Sequence, residues 1–159
     1  MIYFIFRYSL VLLLSLFYVD CIRAENQNGG GCAIVAPSSI NFGEYDTFSY
    51  ADTIGVGSFA VKACNDNKRS YVITLSAGRS NTYTSRSMIS GGDSLNYNLY
   101  VDPTYSAIWG SGSGGTRSIS KSNPTGETGD TIYIYGKIPG RQEVSSGIYS
   151  DNITITITF

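Results

Sequence analysis

The stretch Asn152-Ile153-Thr154-Ile155-Thr156-Ile157-Thr158-Phe159 alternates without a break. Successive side chains of an extended strand point to opposite faces. Ile153, Ile155, Ile157 and Phe159 therefore line one face, and Thr154, Thr156 and Thr158 the other. This is the strongest β pattern in the sequence, and it runs to the last residue with no turn or returning strand after it. A free sheet edge is ordinarily blunted by charge, Pro or a bulge, yet no charge and no Pro follow Asp151. Burying one large apolar side chain is worth about 1.5–3 kcal/mol. Leaving four half-covered would forfeit several kcal/mol of a total near 5–15 kcal/mol. The pattern admits two readings: a final strand inside a complete sheet, or a strand whose neighbour comes from another chain, as in donor-strand complementation.

Upstream, the same grammar recurs. Period-two alternation, rich in β-branched and aromatic residues, is broken by Gly, Ser, Asn and Asp. Strands are expected at residues 33–36 and 40–42, around Pro37, and at 57–64, with Phe59 and Val61 on one face. Others fall at 71–76 (YVITLS), 95–101 (LNYNLYV), 107–109, 131–135 (TIYIY) and 147–159. Leu95, Tyr97, Leu99 and Val101 share a face opposite Asn96, Asn98 and Tyr100. No stretch shows helical periodicity of useful length. Short strands with turns between them point to an antiparallel sandwich. The main strands number about six where a closed immunoglobulin-like sandwich has seven. The expected fold is all-β: an incomplete immunoglobulin-like antiparallel β-sandwich lacking its last strand. Gly43 and Gly147, at strand ends, are candidates for positive φ. Residues 110–115 (GSGSGG) read as a flexible loop.

Composition removes most chemistry. The 159 residues carry 11 Lys+Arg against 12 Asp+Glu, so no strong field draws nucleic acid or anionic lipid. With no His, His-based nucleophilic sites and His-ligated metals are excluded. Most of the acidic residues, Asp46, Asp52, Asp66, Asp93, Glu127 and Asp130 among them, fall in loop or turn contexts, and no spacing marks a catalytic pair. No enzyme activity, cofactor or metal is expected.

Residues 1–24 read as a secretory signal peptide: Arg7 in front, an apolar run at 9–19 (SLVLLLSLFYV) too short to span a bilayer, then Asp20 and a small residue, Ala24, before Glu25. The mature domain is then residues 25–159, exported and without a transmembrane anchor. Cys21 leaves with the leader. Cys32 and Cys64 remain, and an even number in an exported chain makes a disulfide the default. Closing a loop of about 33 residues is worth ~3–4 kcal/mol in the chain-entropy model.

A family resemblance rests on ordered pieces from Cys32 to Phe159. They are Asn41-Phe42-Gly43-Glu44-Tyr45, Val61-Lys62-Ala63-Cys64, the run at 71–80 (YVITLSAGRS) and Arg86-Ser87-Met88. Then come residues 95–102 (LNYNLYVD), Ile108-Trp109-Gly110, Tyr135-Gly136-Lys137-Ile138-Pro139 with Gln142, and Gly147-Ile148-Tyr149-Ser150-Asp151 before the last strand. The mature chain resembles the spore coat protein U family, whose domain also builds archaic chaperone–usher pili. The resemblance implies a periplasmic chaperone that lends a strand and grips the Phe159 carboxylate. It also implies an outer-membrane usher, neighbouring pilin subunits, and a surface fibre for attachment and biofilm. The family disulfide falls on Cys32 and Cys64, and the donor-strand acceptor groove on Ile153, Ile155, Ile157 and Phe159. Tyr149 is placed to fill the core and hydrogen-bond at a corner.

One feature departs from a fibre-forming pilin, whose N-terminal extension alternates apolar side chains. Residues 25–31 (ENQNGGG) contain none. The chain is therefore expected to accept a strand but not to donate one, which suits a tip or accessory subunit. Phe48, Tyr50 and Tyr83 lie outside the main strands and are candidate adhesive loop aromatics. The alternative is a secreted spore-coat-like or carbohydrate-binding β-sandwich that is stable alone.

Overall fold

A computed structural model describes residues 11–14, 34–35, 39–61, 70–122 and 130–158. Cys32, Cys64 and Phe159 lie outside these, as does the proposed disulfide. The strands are β1 Val11–Leu14, β2 Ile34–Val35, β3 Asn41–Tyr45, β4 Thr53–Val61, β5 Ser70–Leu75, β6 Arg86–Ser90, β7 Asp93–Tyr100, β8 Ile119–Ser122, β9 Asp130–Ile138, β10 Ile148–Tyr149 and β11 Ile155–Thr158. A single 3-10 turn, Gly78–Ser80, is the only helical element among the described residues.

A five-stranded sheet runs β2-β4-β9-β7-β6, and a three-stranded sheet runs β11-β5-β8. A third sheet, β10-β1-β3, continues the first through the antiparallel bridge Ile89–Ser150. Every strand pair is antiparallel except β1 with β10. The core between the layers is apolar and aromatic: Phe59, Ile132 and Ile134 from one, Tyr71, Ile73 and Leu75 from another. Trp109, the single tryptophan of the sequence, is fully buried there. It stacks on Phe59 at 6.4 Å and donates its indole N–H to the Ile73 carbonyl.

Strand β3 crosses the inner face of the large sheet at two glycines. Gly55 and Gly136 are register partners on β4 and β9. A Cβ on Gly136 would stand 2.5 Å from Phe42 Cζ, and one on Gly55 2.8 Å from Ile40 Cγ2. The glycines thus let Ile40 and Phe42 lie directly on the sheet. We expect Gly136→Ala to lose about 1–3 kcal/mol by overpacking. Phe42→Leu should restore part of that loss. Urea midpoints of the two single variants and the double variant check the coupling.

The sandwich is all-β, antiparallel and open, as the strand pattern indicates. The strands differ in detail. β4 begins four residues before the expected Gly57, and β9 runs three beyond Tyr135. Strands β6 and β8 were not expected: β6 carries Arg86 at a core position, and β8 is an almost wholly exposed edge strand. Gly43 has the expected positive φ of 72°, but Gly147 does not. What confines Gly147 is space, since a Cβ there would meet Ser90 Oγ at 2.5 Å. Residues 110–115 form a closed loop: Gly110 N–H bonds the Arg117 carbonyl, and Gly112 N–H bonds Thr116 Oγ1.

Candidate functional site: an open place beside the terminal strand

The terminal segment serves two layers. Its first part, β10, lies beside β6 through Ser150 and beside β1. Its second part, β11, pairs with β5 from Ile155–Leu75 to Thr158–Val72. Tyr149, Asp151, Ile153 and Ile155 are all buried, and Ile157 is half-buried. The expected groove residues therefore face the core, apart from Phe159, which is not described. The outer edge of β11 has no strand beside it among the described residues.

Between β3 and β10 the sheet has a place for one strand. These two strands do not pair with each other; β1 lies between them. It is parallel to β10 (Leu12–Ile148, Leu13–Tyr149) and antiparallel to β3 (Val11–Tyr45, Leu12–Glu44, Leu13–Gly43). The occupant belongs to the stretch read above as a leader. On either side of this place, aromatic hydroxyls fix the walls. Tyr45 donates to the Pro139 carbonyl at 2.8 Å and accepts from Gln142 N–H. Tyr149, fully buried, donates to the Ser145 carbonyl at 2.9 Å. Burial and the nearby Asp93 raise the Tyr149 hydroxyl above its ordinary pKa.

Where the terminal segment passes from one layer to the other, a buried polar network holds it. Asp151 accepts from Tyr97 Oη at 2.7 Å, Arg79 N–H at 3.0 Å and Asn152 N–H at 2.8 Å. Gly78, at φ 68°, is pressed against this carboxylate and leaves no room for a side chain. Burial, then the Asp151 charge, pushes the Tyr97 hydroxyl well above its ordinary value, so it stays a donor. Nearby Arg86 is fully buried. Its Nε and Nη2 donate to the Ser76 carbonyl, Nη2 also to the Trp109 carbonyl, and Nη1 to Asn98 Oδ1 at 2.7 Å. Burial lowers the Arg86 pKa, opposed by Tyr97, Tyr83 and Asp151. Ser76 then meets the terminal strand: its N–H bonds the Thr154 carbonyl and its hydroxyl accepts from Thr154 N–H. The network offers no nucleophile or open cavity; its chemistry is positional.

The candidate loop aromatics divide. Phe48 and Tyr50 are exposed on one hydrogen-bonded turn, where Asp46 accepts from Phe48 N–H and Arg141 lies 4.6 Å over the Tyr50 ring. Tyr83 is elsewhere, half-buried and under the Arg86 guanidinium at 5.3 Å. Sequence reasoning missed the role of Asp151 and Arg86. Asp151 keeps the inward phase of Tyr149, Ile153 and Ile155, and that parity was the available signal.

Comparison with known proteins agrees with this architecture. The Spore Coat Protein U domain model matches residues 19–156. Protein U of Myxococcus xanthus is 32% identical over 146 residues, covering 82% of this chain and 79% of that protein. A crystal structure of the CsuC–CsuE chaperone–tip adhesion subunit pre-assembly complex, from archaic chaperone–usher Csu pili of Acinetobacter baumannii, has a similar fold. The TM-score is 0.54 at 22% identity, over 82% of this chain and 40% of that one. Val11–Leu14 precedes the matched residues, so the filler of the place between β3 and β10 lies outside the matched domain. From Val19 through Thr156, the chain belongs to the Spore Coat Protein U domain family.

Proposed function

We propose that this chain is a structural or adhesive subunit of a chaperone–usher surface pilus, completed by a strand from another chain. The observation that carries this reading is the place between β3 and β10. It is filled in the structure only by a segment outside the matched domain. Removing residues 1–24 as an export leader would leave backbone groups of both strands unpaired beside an apolar core, a costly edge. A periplasmic chaperone would supply the strand first, an outer-membrane usher would receive the subunit, and a neighbouring pilin would take over the place. Residues 25–31 lack apolar side chains, which supports a tip or accessory position. The turn bearing Phe48 and Tyr50 would then make contact with the surface bound. A Cys32–Cys64 disulfide would staple the domain after export.

The test is periplasmic expression of residues 25–159 behind a heterologous leader, with and without a chaperone of the archaic class. The expected result is soluble subunit only in the chaperone's presence, recovered as a 1:1 complex. A soluble monomer that unfolds cooperatively by itself would replace this reading with the self-sufficient secreted sandwich.

A further inference from the structure

The outward face of the five-stranded sheet has the wrong composition for a surface with no partner. Central strands with one face in water ordinarily alternate apolar-in and polar-out. On β4 and β9 the inward residues obey this rule, but the outward ones include Ile54, 57% exposed, and Val56 and Tyr133, each 53% exposed. Directly opposed residues share a face. Val56, Tyr135 and Tyr100 form one row across three strands, and Ile54, Lys137 and Asn98 the next. Tyr133 stands opposite Ser58 in the row on the other side of Val56 and Tyr135. Rows repeat about every 6.8 Å along a strand, and strands lie about 4.8 Å apart.

A hairpin adds a further ring to this face. Asp102 accepts from Thr104 N–H and hydroxyl, Ser106 N–H and hydroxyl, and Ala107 N–H. These bonds, the Thr104 hydroxyl foremost, hold its carboxyl down at about 2. They also hold Tyr105 at φ 56°, a strained conformation for a residue with a side chain. Tyr105 packs edge-on against Tyr100 with centroids 5.5 Å apart. Lys137 Nζ sits 5.5 Å from one ring and 5.8 Å from the other, and its charge is answered by Asp52 at 3.3 Å.

We propose that this face is a binding platform for an uncharged polysaccharide. Lys137, the one cation among the described residues of this face, is paired with Asp52 and offers no free charge to an anion. The rings of the face are tyrosines, which offer an apolar face for the C–H side of a sugar and a hydroxyl for its edge. The exposed apolar area is on the order of a few hundred Å². A patch of that size, with its rings in adjacent rows of β9 and on the neighbouring β7, suits a narrow extended ligand. The platform uses none of the terminal-strand residues, so this inference stands apart from the strand-acceptor reading.

The test uses the exported full chain, alone or with its strand donor. The probes are microcrystalline cellulose, chitin and xylan, with alginate as an anionic control. Retention on at least one neutral polysaccharide is expected, unchanged in about 1 M salt, where the screening length is about 3 Å. Tyr133→Ala with Tyr135→Ala should weaken it about tenfold or more, and Val56→Asn, a smaller change, by less. Lys121→Ala, on the exposed strand β8 of the other sheet, should leave it unchanged. Failure to bind all three neutral polysaccharides overturns the proposal, as does retention on alginate alone. Platform variants that change only the oligomeric state would assign the face to a second copy instead.

Discussion

Ile155→Asp should abolish the folded subunit, whereas Thr158→Asp, three residues on, should not. Ile155 is 1% exposed and sits opposite Leu75 in the β11–β5 ladder. The substitution forfeits about 1.5–3 kcal/mol of burial and places a carboxylate in the apolar core, which costs several kcal/mol more. Together these approach the whole stability of an ordinary domain, about 5–15 kcal/mol. Thr158 points outward and is exposed, so its variant should stay within about 0.5 kcal/mol of the parent. Ile157, in the inward phase but only half-buried, should fall between them. The measurement is the yield of chaperone-bound subunit from periplasm for the three variants, followed by urea unfolding of whatever is recovered. Equal yields for Ile155→Asp and Thr158→Asp would show that the terminal strand does not close the core.

Arg86→Met should cost about 3–5 kcal/mol, and Arg86→Lys should recover little of it. Replacing a buried ion pair by apolar residues can be neutral or even stabilising, but only when both partners are replaced. Two of the three acceptors of Arg86 are the backbone carbonyls of Ser76 and Trp109, which no substitution can remove. Methionine would leave both buried and unpaired, at about 1–3 kcal/mol for each unsatisfied carbonyl, and Asn98 Oδ1 would keep only the Leu99 N–H. Lysine supplies three donors from one point and cannot reproduce the planar fork that spans Ser76, Asn98 and Trp109. Since Ser76 also bonds Thr154, the loss should spread into the terminal strand. Urea midpoints and slopes of the strand-complemented subunit decide the matter. A change under about 1 kcal/mol in Arg86→Met would mean that water or a relaxed backbone satisfies those carbonyls.

The elements legible in the sequence were those whose own side chains set the pattern. Leu95, Tyr97 and Leu99 alternate inward as read, and so do Ile153 and Ile155. The illegible ones owe their structure to distant partners. Asn98 sits in the outward phase of β7, yet it is buried because Arg86 and the carbonyls of Tyr83 and Thr84 take both ends of its amide. Strand β6 reads as polar because the arginine at its start spends its charge on carbonyls from other segments. Gln142 likewise behaves as an extra rung of sheet: its amide accepts from Asn96 N–H and donates to the Asn96 carbonyl, a pairing 46 residues apart in sequence. That the sandwich is open was foreseen as a deficit in strand number. That an apolar stretch of the same polypeptide lies between β3 and β10 was not, since four consecutive apolar residues carry no period that would distinguish a strand from a leader.

The buried indole has a practical consequence. Trp109 is the lone tryptophan, stacked on Phe59 from one layer and tied to Ile73 of the other. Its emission is therefore a label-free optical gauge of whether the layers are in contact. A blue-shifted band marks a closed sandwich, and a shift to the red marks water reaching the seam. Because one fluorophore reports for the whole domain, strand exchange could be watched in real time without attaching a dye.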